Sequence, residues 1–283
     1  MKKAILVVSF GTSHLDALKN SIEKIEDKIR EEFKGYEVFR AFTAHMIIKK
    51  LRERDGLNIL KPEEALEDLK NKGFEEVIIQ PLHIIPGEEF DYIKGIAERH
   101  NNDFKTIKVG RPIFFYQGIE EVPQDYTLFI ESIKEVLEGE ESVVLFGHGT
   151  AHASNAVYGM LQTVLEDEGY ENVFVATVEG YPSIESCLKR MKKKGVTKTK
   201  LAPLLLVAGD HAKKDMASDE EDSLKSILQR EGIEVSLHLH GLGELDKFDD
   251  LYINRIYDTI EDRYVDLGRT KKLRKSHKTI RKG

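Results

Sequence analysis

A single cysteine, Cys187, stands in a chain of 283 residues. With no second thiol there is no intramolecular disulfide, and thiolate-rich zinc or iron–sulfur sites are excluded unless another chain supplies ligands. A metal held by this chain must therefore rely on His, Asp or Glu. Long hydrophobic runs are missing too, since no stretch approaches the roughly 18 residues of a membrane span. The opening MKKAILVVSFGTSH has two lysines and a short apolar run at 4–8, about half a signal-peptide core, with no small-x-small cleavage pattern after it. It reads as a buried first strand, and the chain as a cytoplasmic protein in reducing surroundings. Nucleotide and hydrolase signatures are also lacking: no Walker lysine follows a Gly-rich turn, no GxGxxG follows the first strand, and SFGTS is not a GxSxG elbow.

What is present fits a globular chain, with 40% hydrophobic and 33% charged residues and enough length to bury a sizeable core. The charge is lopsided. Residues 269–283 (RTKKLRKSHKTIRKG) hold eight Lys or Arg and no acid, so the net −7 of the whole chain becomes −15 for residues 1–268. An acidic body argues against nucleic acid as a partner and favours the approach of a small cation. The tail, a block of like charge without apolar periodicity, reads as disordered.

Strand and helix patterns alternate. The apolar run 4–9 is a strand, 16–33 carries Leu18, Ile22, Ile25, Ile29 and Phe33 at helical spacing, and 36–42 is a second strand. Helices follow at 46–54 and at 62–70, the latter opened by Pro62 and stopped by Gly73, before a third strand at 77–80. The order restarts with a strand at 142–146, a helix at 155–168, a strand at 173–178, a helix at 183–194 and a strand at 200–207. Ser218 reads as the cap of a helix opened by the acidic run 219–222. Such alternation predicts an α/β protein with parallel sheets flanked by helices.

The second run repeats the first. Gly73 and Gly195, Pro81 and Pro203, and Gly87 and Gly209 all share an offset of 122, while Gly11-Thr12-Ser13-His14 lies beside Gly149-Thr150-Ala151-His152 at an offset of 138. Two similar lobes with a cleft between them are expected: an N-terminal lobe over 1–122, a C-terminal lobe over 123–268 and the tail 269–283.

In open parallel sheets ligands bind where loops leave the carboxyl ends of the strands. In the second half those loops carry His148, Glu179 and His211, two imidazoles and a carboxylate that could hold a divalent transition metal with positions left for a substrate. Each also has a bland alternative, a histidine bonded to loop backbone or a solvated strand-end carboxylate. Under the repeat His211 corresponds to Glu89 and His148 to Phe10, so one metal site is expected, in the second half. His83, Glu88 and Glu89 could face it from the first. His152 reads as a cap of the helix that follows.

The strings VVSFGTS (7–13), RAFTAHMIIKKLRERDG (40–56), LHIIPGEEF (82–90), FGHGTAH (146–152), VEGYPS (178–183) and LLVAGDHAKKDMASDE (205–220) closely resemble, in order and spacing, the anaerobic sirohydrochlorin cobaltochelatases, the CbiK type of class II chelatase. The likeness runs from the N-terminus to about Gly243. It implies a two-lobed chelatase-like fold and ATP-independent insertion of Co2+ into sirohydrochlorin or precorrin-2, with no cofactor beyond the substrate metal. It places the family's metal ligands on His148, Glu179 and His211, and the same site suggests His148 as the base, Glu179 as the neutralising charge, and His83 and Glu89 as substrate contacts. Arg40, Lys213 and Lys214 are candidates for the substrate's carboxylates. Ligand type alone leaves Fe2+ and Ni2+ open, as well as a non-catalytic metal or tetrapyrrole carrier, while a two-lobed sugar-binding protein would need neither histidine. Exposed helices leave room for a homo-oligomer. The basic tail departs from the family pattern.

Overall fold

The computed structural model describes residues 1–119, 121–139 and 142–264. The basic tail therefore lies outside the described residues. Two four-stranded parallel sheets carry the chain. The first is built from β1 (Lys3–Ser9), β2 (Glu37–Phe42), β3 (Glu76–Pro81) and β4 (Thr106–Val109) in the order β2-β1-β3-β4. The second is built from β5 (Ser142–Gly147), β6 (Val173–Thr177), β7 (Lys198–Pro203) and β8 (Glu234–Leu237) in the order β6-β5-β7-β8. The matching orders realise the internal repeat.

The continuous apolar runs of β1 and β5 follow from burial on both faces, as parallel sheets require. Alternate residues serve different cores: Ile5 and Val7 join Val143 and Leu145 in one cluster common to both halves, while Ala4, Leu6 and Val8 pack outward under one set of helices and Val144 and Phe146 under another. The sheets thus share a continuous interior.

The repeat offset falls from 138 to 122 because the halves differ between their second and third strands. Two helices, His45–Asp55 and Pro62–Asn71, lie between β2 and β3, whereas only Ile184–Lys193 lies between β6 and β7. The first helical stretch is Leu15–Ala17, a π-helical turn over Leu18–Glu23, and Lys24–Glu32.

Two details differ from the sequence reading, and a third lies beyond it. The third strand of the second half ends at Pro203 rather than at 207: the chain makes one more ladder bond, from Leu204 N–H to Phe146 O at 2.8 Å, and then turns. The helix after the acidic run starts at Leu224, capped by Ser223, whose hydroxyl accepts from Ser226 N–H at 3.1 Å; Ser218 instead takes the Ser223 hydroxyl on its carbonyl at 2.7 Å. Finally, the helix Asp246–Ile260 follows the second sheet in sequence but lies on the first. Tyr252 donates to Leu82 O at 2.8 Å, Arg255 to Ile113 O at 3.2 Å, and Phe248, Tyr252 and Ile256 enter the shared core. No described helix is long and apolar enough to cross a membrane.

Candidate metal and substrate site

The carboxyl ends of β5, β6 and β7 gather the three second-half candidates. His148 is the first residue past β5. The pairing of β5 with β6 continues beyond the sheet, through Val178 N–H to Gly147 O at 3.1 Å and Glu179 N–H to His148 O at 2.8 Å. Glu179 is thereby pinned beside His148 by its own backbone, while its residue stays exposed. Gly149 makes this possible: its φ is +81°, and a Cβ there would lie 2.6 Å from Gly180 N. Asn155 ties the two loops together, accepting from Thr150 N–H at 3.2 Å and donating to Tyr181 O at 2.8 Å.

His211 comes from the loop after β7, at the start of a helical turn over Ala212–Met216. Its ring stands edge-on to that of His148, with centroids 4.5 Å apart and planes at 84°. Both imidazoles are oriented through Nδ1: His148 Nδ1 lies 3.0 Å from Gly149 O and His211 Nδ1 lies 2.6 Å from Asp215 Oδ2. A carbonyl and a carboxylate can only accept, so Nδ1 carries a proton in both rings, and the tautomer this selects leaves Nε2 as the position with a lone pair. That is the tautomer a metal needs.

Among the described residues, three metal-ligating side chains converge within 4.8 Å elsewhere, at Glu67, His100 and Asp103 on the first lobe. That cluster already holds a cation, because Lys70 Nζ lies 3.0 Å from Asp103 and 3.7 Å from Glu67. The His148–His211 pair has no such ammonium in its place, and Glu179 stands outside it as an exposed arm.

The first lobe supplies the other candidates. His83 follows β3 and Leu82, both of its ring nitrogens are buried without a partner, and burial pushes its pKa down to about 4, so the ring is neutral. Glu88 and Glu89 open the helix Glu88–Arg99, Glu88 exposed and Glu89 half-buried. Arg40 is not available to a substrate carboxylate as the sequence suggested. Its Nε and Nη2 grip both oxygens of the buried Glu26 at 2.7 and 2.6 Å, and Nη2 reaches Glu23 at 3.1 Å, a fork geometry that commits the guanidinium. Lys213 and Lys214 sit on the His211 turn, 3.6 Å from Asp16 and 3.7 Å from Asp210.

The lobes touch through a reciprocal pair of histidines. His14 of the first lobe lies 3.3 Å from Asp210 of the second, and His152 of the second lies 3.4 Å from Asp91 of the first. His152 also caps its helix as expected, its Nδ1 accepting from Ser154 N–H at 3.1 Å. Sequence reading missed His14, Asp210, Asn155 and Asp215. Of these, Asp215 had a signal, the i to i+4 spacing from His211 in a helical turn.

Residues 3–261 match the cobalt chelatase (CbiK) family. The chain belongs to that family. It is 36% identical over 263 residues to the sirohydrochlorin cobaltochelatase of Salmonella typhimurium, covering 92% of this chain and 97% of that protein. It is 29% identical over 260 residues to the sirohydrochlorin cobaltochelatase CbiKC of Nitratidesulfovibrio vulgaris, covering 90% and 89%. Among solved structures, the sirohydrochlorin chelatase SirB from Bacillus subtilis subspecies spizizenii in complex with cobalt superposes with a TM-score of 0.61 at 17% identity over 94% of this chain and 99% of that one. At that identity the likeness speaks for the fold: two parallel sheets flanked by helices, as in a CbiK-type chelatase.

Proposed function

We propose that the chain inserts Co2+ into sirohydrochlorin in the cytoplasm, without ATP and with no cofactor beyond the substrate metal. The observation that carries this reading is the His148–His211 pair, two rings 4.5 Å apart, each with Nδ1 against an acceptor and Nε2 left for another partner. Family membership supplies the reaction class.

In this reading Co2+ is a substrate held by His148, Glu179 and His211. Glu179 swings in from its exposed position to offset the ion's charge. Insertion exchanges two pyrrole N–H protons for the metal, so a base must stand near the ring nitrogens. His148 fills that role: as the ion passes to the macrocycle its Nε2 lone pair is released and can accept one of the two protons. The second proton leaves to solvent. His83 and Glu89 contribute to the opposite wall, where a neutral, unpartnered imidazole can meet a pyrrole N–H.

An anaerobic absorbance time course of sirohydrochlorin with Co2+, Fe2+ and Ni2+ in parallel tests the reading, with catalysis fastest for Co2+ expected. His148→Ala should abolish insertion while sirohydrochlorin still binds. A stoichiometric spectral change without turnover in the parent protein would mark a carrier instead.

A further inference from the structure

The loop after β8 carries another pair of histidines. The strands of the second sheet run parallel in the order β6-β5-β7-β8, so their carboxyl ends share one edge. Across that edge β6 leads to Glu179, β5 to His148, β7 to His211 and β8 to His238-Leu239-His240. The second pair thus follows the strand next to the one that leads to His211.

Backbone and side-chain contacts build the pair together. His238 N–H donates to Leu201 O at 2.8 Å, which carries the β7–β8 ladder one residue past β8. In extended chain, residues two apart point to the same face. The rings of His238 and His240 meet there, with centroids 5.1 Å apart and planes at 56°. Just beyond, Leu242 and Gly243 N–H donate to Leu205 and Leu206 O, both at 2.9 Å, and a Cβ at Gly241 would lie 2.6 Å from Leu206 O. The loop bearing the pair is therefore packed on the segment that runs from β7 towards His211.

The ring nitrogens are set up as that of His211 is. His240 Nδ1 lies 2.8 Å from Glu244 Oε2, four residues on, as His211 Nδ1 lies 2.6 Å from Asp215 Oδ2. A carboxylate can only accept, so Nδ1 carries a proton and the tautomer this selects leaves Nε2 with a lone pair. Glu244 is itself held, its Oε1 accepting from Gly241 N–H at 2.8 Å. His238 Nε2 is buried and finds no hydrogen-bond partner among the described residues. Such a nitrogen has given up water for nothing, and a ligand that binds it would recover that cost. Burial first, then His240 and Lys200, lowers the His238 pKa from 6.5, against the opposing pull of Glu244 and Glu135, so the ring is neutral at neutral pH.

We propose that His238 and His240 form a second site for a divalent transition ion, of the class that prefers imidazole, such as Ni2+, Co2+ or Zn2+, over Mg2+ or Ca2+. Two protein nitrogens leave the other coordination positions to water, so the ion exchanges with solvent, unlike one closed in by four protein ligands. Glu244 is a positioning residue that holds the His240 ring. This site binds its ion whether or not the chain turns over a tetrapyrrole.

The test titrates the full chain with Ni2+ alone by equilibrium dialysis, with Mg2+ as the control and thermal melts to confirm folding. The parent is compared with His240→Ala, with His238→Ala, with His148→Ala/His211→Ala, and with the last pair combined with His240→Ala. His240 is the safest position to change, because its side chain is 62% exposed. His240→Ala should weaken one equivalent of Ni2+ by roughly tenfold or more, since loss of even an outer-shell partner has an effect of that size. That equivalent should survive in His148→Ala/His211→Ala and vanish when His240→Ala is added. A folded His240→Ala protein that binds Ni2+ as the parent does overturns the site, even if His238→Ala fails to fold, and so does a parent that binds no Ni2+. The chelatase reading fails separately: loss of an equivalent in His240→Ala but none in His148→Ala/His211→Ala would leave this site standing and remove the other.

Discussion

Asp215 is the residue on which the proposed use of His211 most depends. Its Oδ2 lies 2.6 Å from His211 Nδ1, one helical turn back, and this bond is what leaves Nε2 as the free lone pair. Carboxylate partners of this kind typically change metal affinity by roughly 10- to 100-fold when removed. The short, charge-assisted geometry argues for the upper part of that range. Exposure argues the other way, since the side chains are 44% and 42% exposed and water can take over the Nδ1–H. Asp215→Ala should therefore weaken Co2+ binding by roughly tenfold, or about 1.4 kcal/mol. Asp215→Asn should lie between, because its amide oxygen still accepts from Nδ1–H but lacks the charge. A Co2+ titration followed by ligand-field absorbance, with a competing chelator, measures this directly, and kcat/KM for Co2+ should fall in step. An Asp215→Ala protein with the parent's Co2+ affinity would refute the argument that this carboxylate sets the tautomer of a metal ligand.

Two predictions concern the framework under the first lobe. Asp125 is fully buried and accepts from Arg255 Nη2 at 2.8 Å and from the Phe115 and Tyr116 N–H groups at 3.2 and 2.8 Å, while burial pulls the Arg255 pKa down to about 10. Asp125→Ala strands that guanidinium and should cost about 3–5 kcal/mol in urea unfolding; an unchanged midpoint would mean that Asp258 and water suffice. Asp249, buried at the start of the final helix 3.0 Å from Lys24, has its pKa pushed up to about 7, with burial outweighing the lysine. Between its ordinary value of 3.8 and about 7 the folded chain binds more protons than the unfolded one, so this group's contribution to stability falls as pH rises through that window and is flat above it. The stability of Asp249→Asn relative to the parent should accordingly rise from pH 4 to 7 in thermal melts, and a pH-independent difference would show that Lys24 keeps the carboxylate ionised throughout.

The sheets were legible because burial on both faces writes a continuous apolar run, as in β1, β3, β5 and β6, whereas β7 (KTKLAP) is apolar only at its end and runs into the apolar segment that follows it. The edge strands β4 and β8 were not, since Thr106–Val109 and Glu234–Leu237 are four residues each and only half-buried or exposed. The final helix could be placed against the first sheet only through long-range contacts such as Tyr252 to Leu82, which no local pattern encodes. The site divides in the same way. His148, Glu179 and His211 stand at the strand ends that the rule picks out, with only the two rings in contact and Glu179 exposed beside them, whereas Arg40 misled because its partner Glu26 lies a helix away and only packing reveals that the pair is closed. Asp215 lay within reach of the sequence, because a helical turn after β7 would have brought positions 211 and 215 together.

The repeat explains why a chain with two nearly identical frames would have chemistry on one side only. The Gly–Thr–x–His turns, the strand-end hydrogen bonds and the sheet orders are the same in both lobes, so the frame specifies where a ligand could stand and not what stands there. Each lobe's turn histidine lies against the other's carboxylate, His14 Nε2 3.3 Å from Asp210 and His152 Nε2 3.4 Å from Asp91, so each of the two turns touches the opposite lobe. At the backbone positions that His148 and Glu179 hold in the second lobe, the first lobe has Phe10 and Ala44, joined by the same kind of strand-end hydrogen bond, Ala44 N–H to Phe10 O at 3.2 Å. Neither side chain can ligate a metal, so the duplicated backbone does not carry a duplicated ligand set, and a candidate ion site in one lobe does not imply a second in the other.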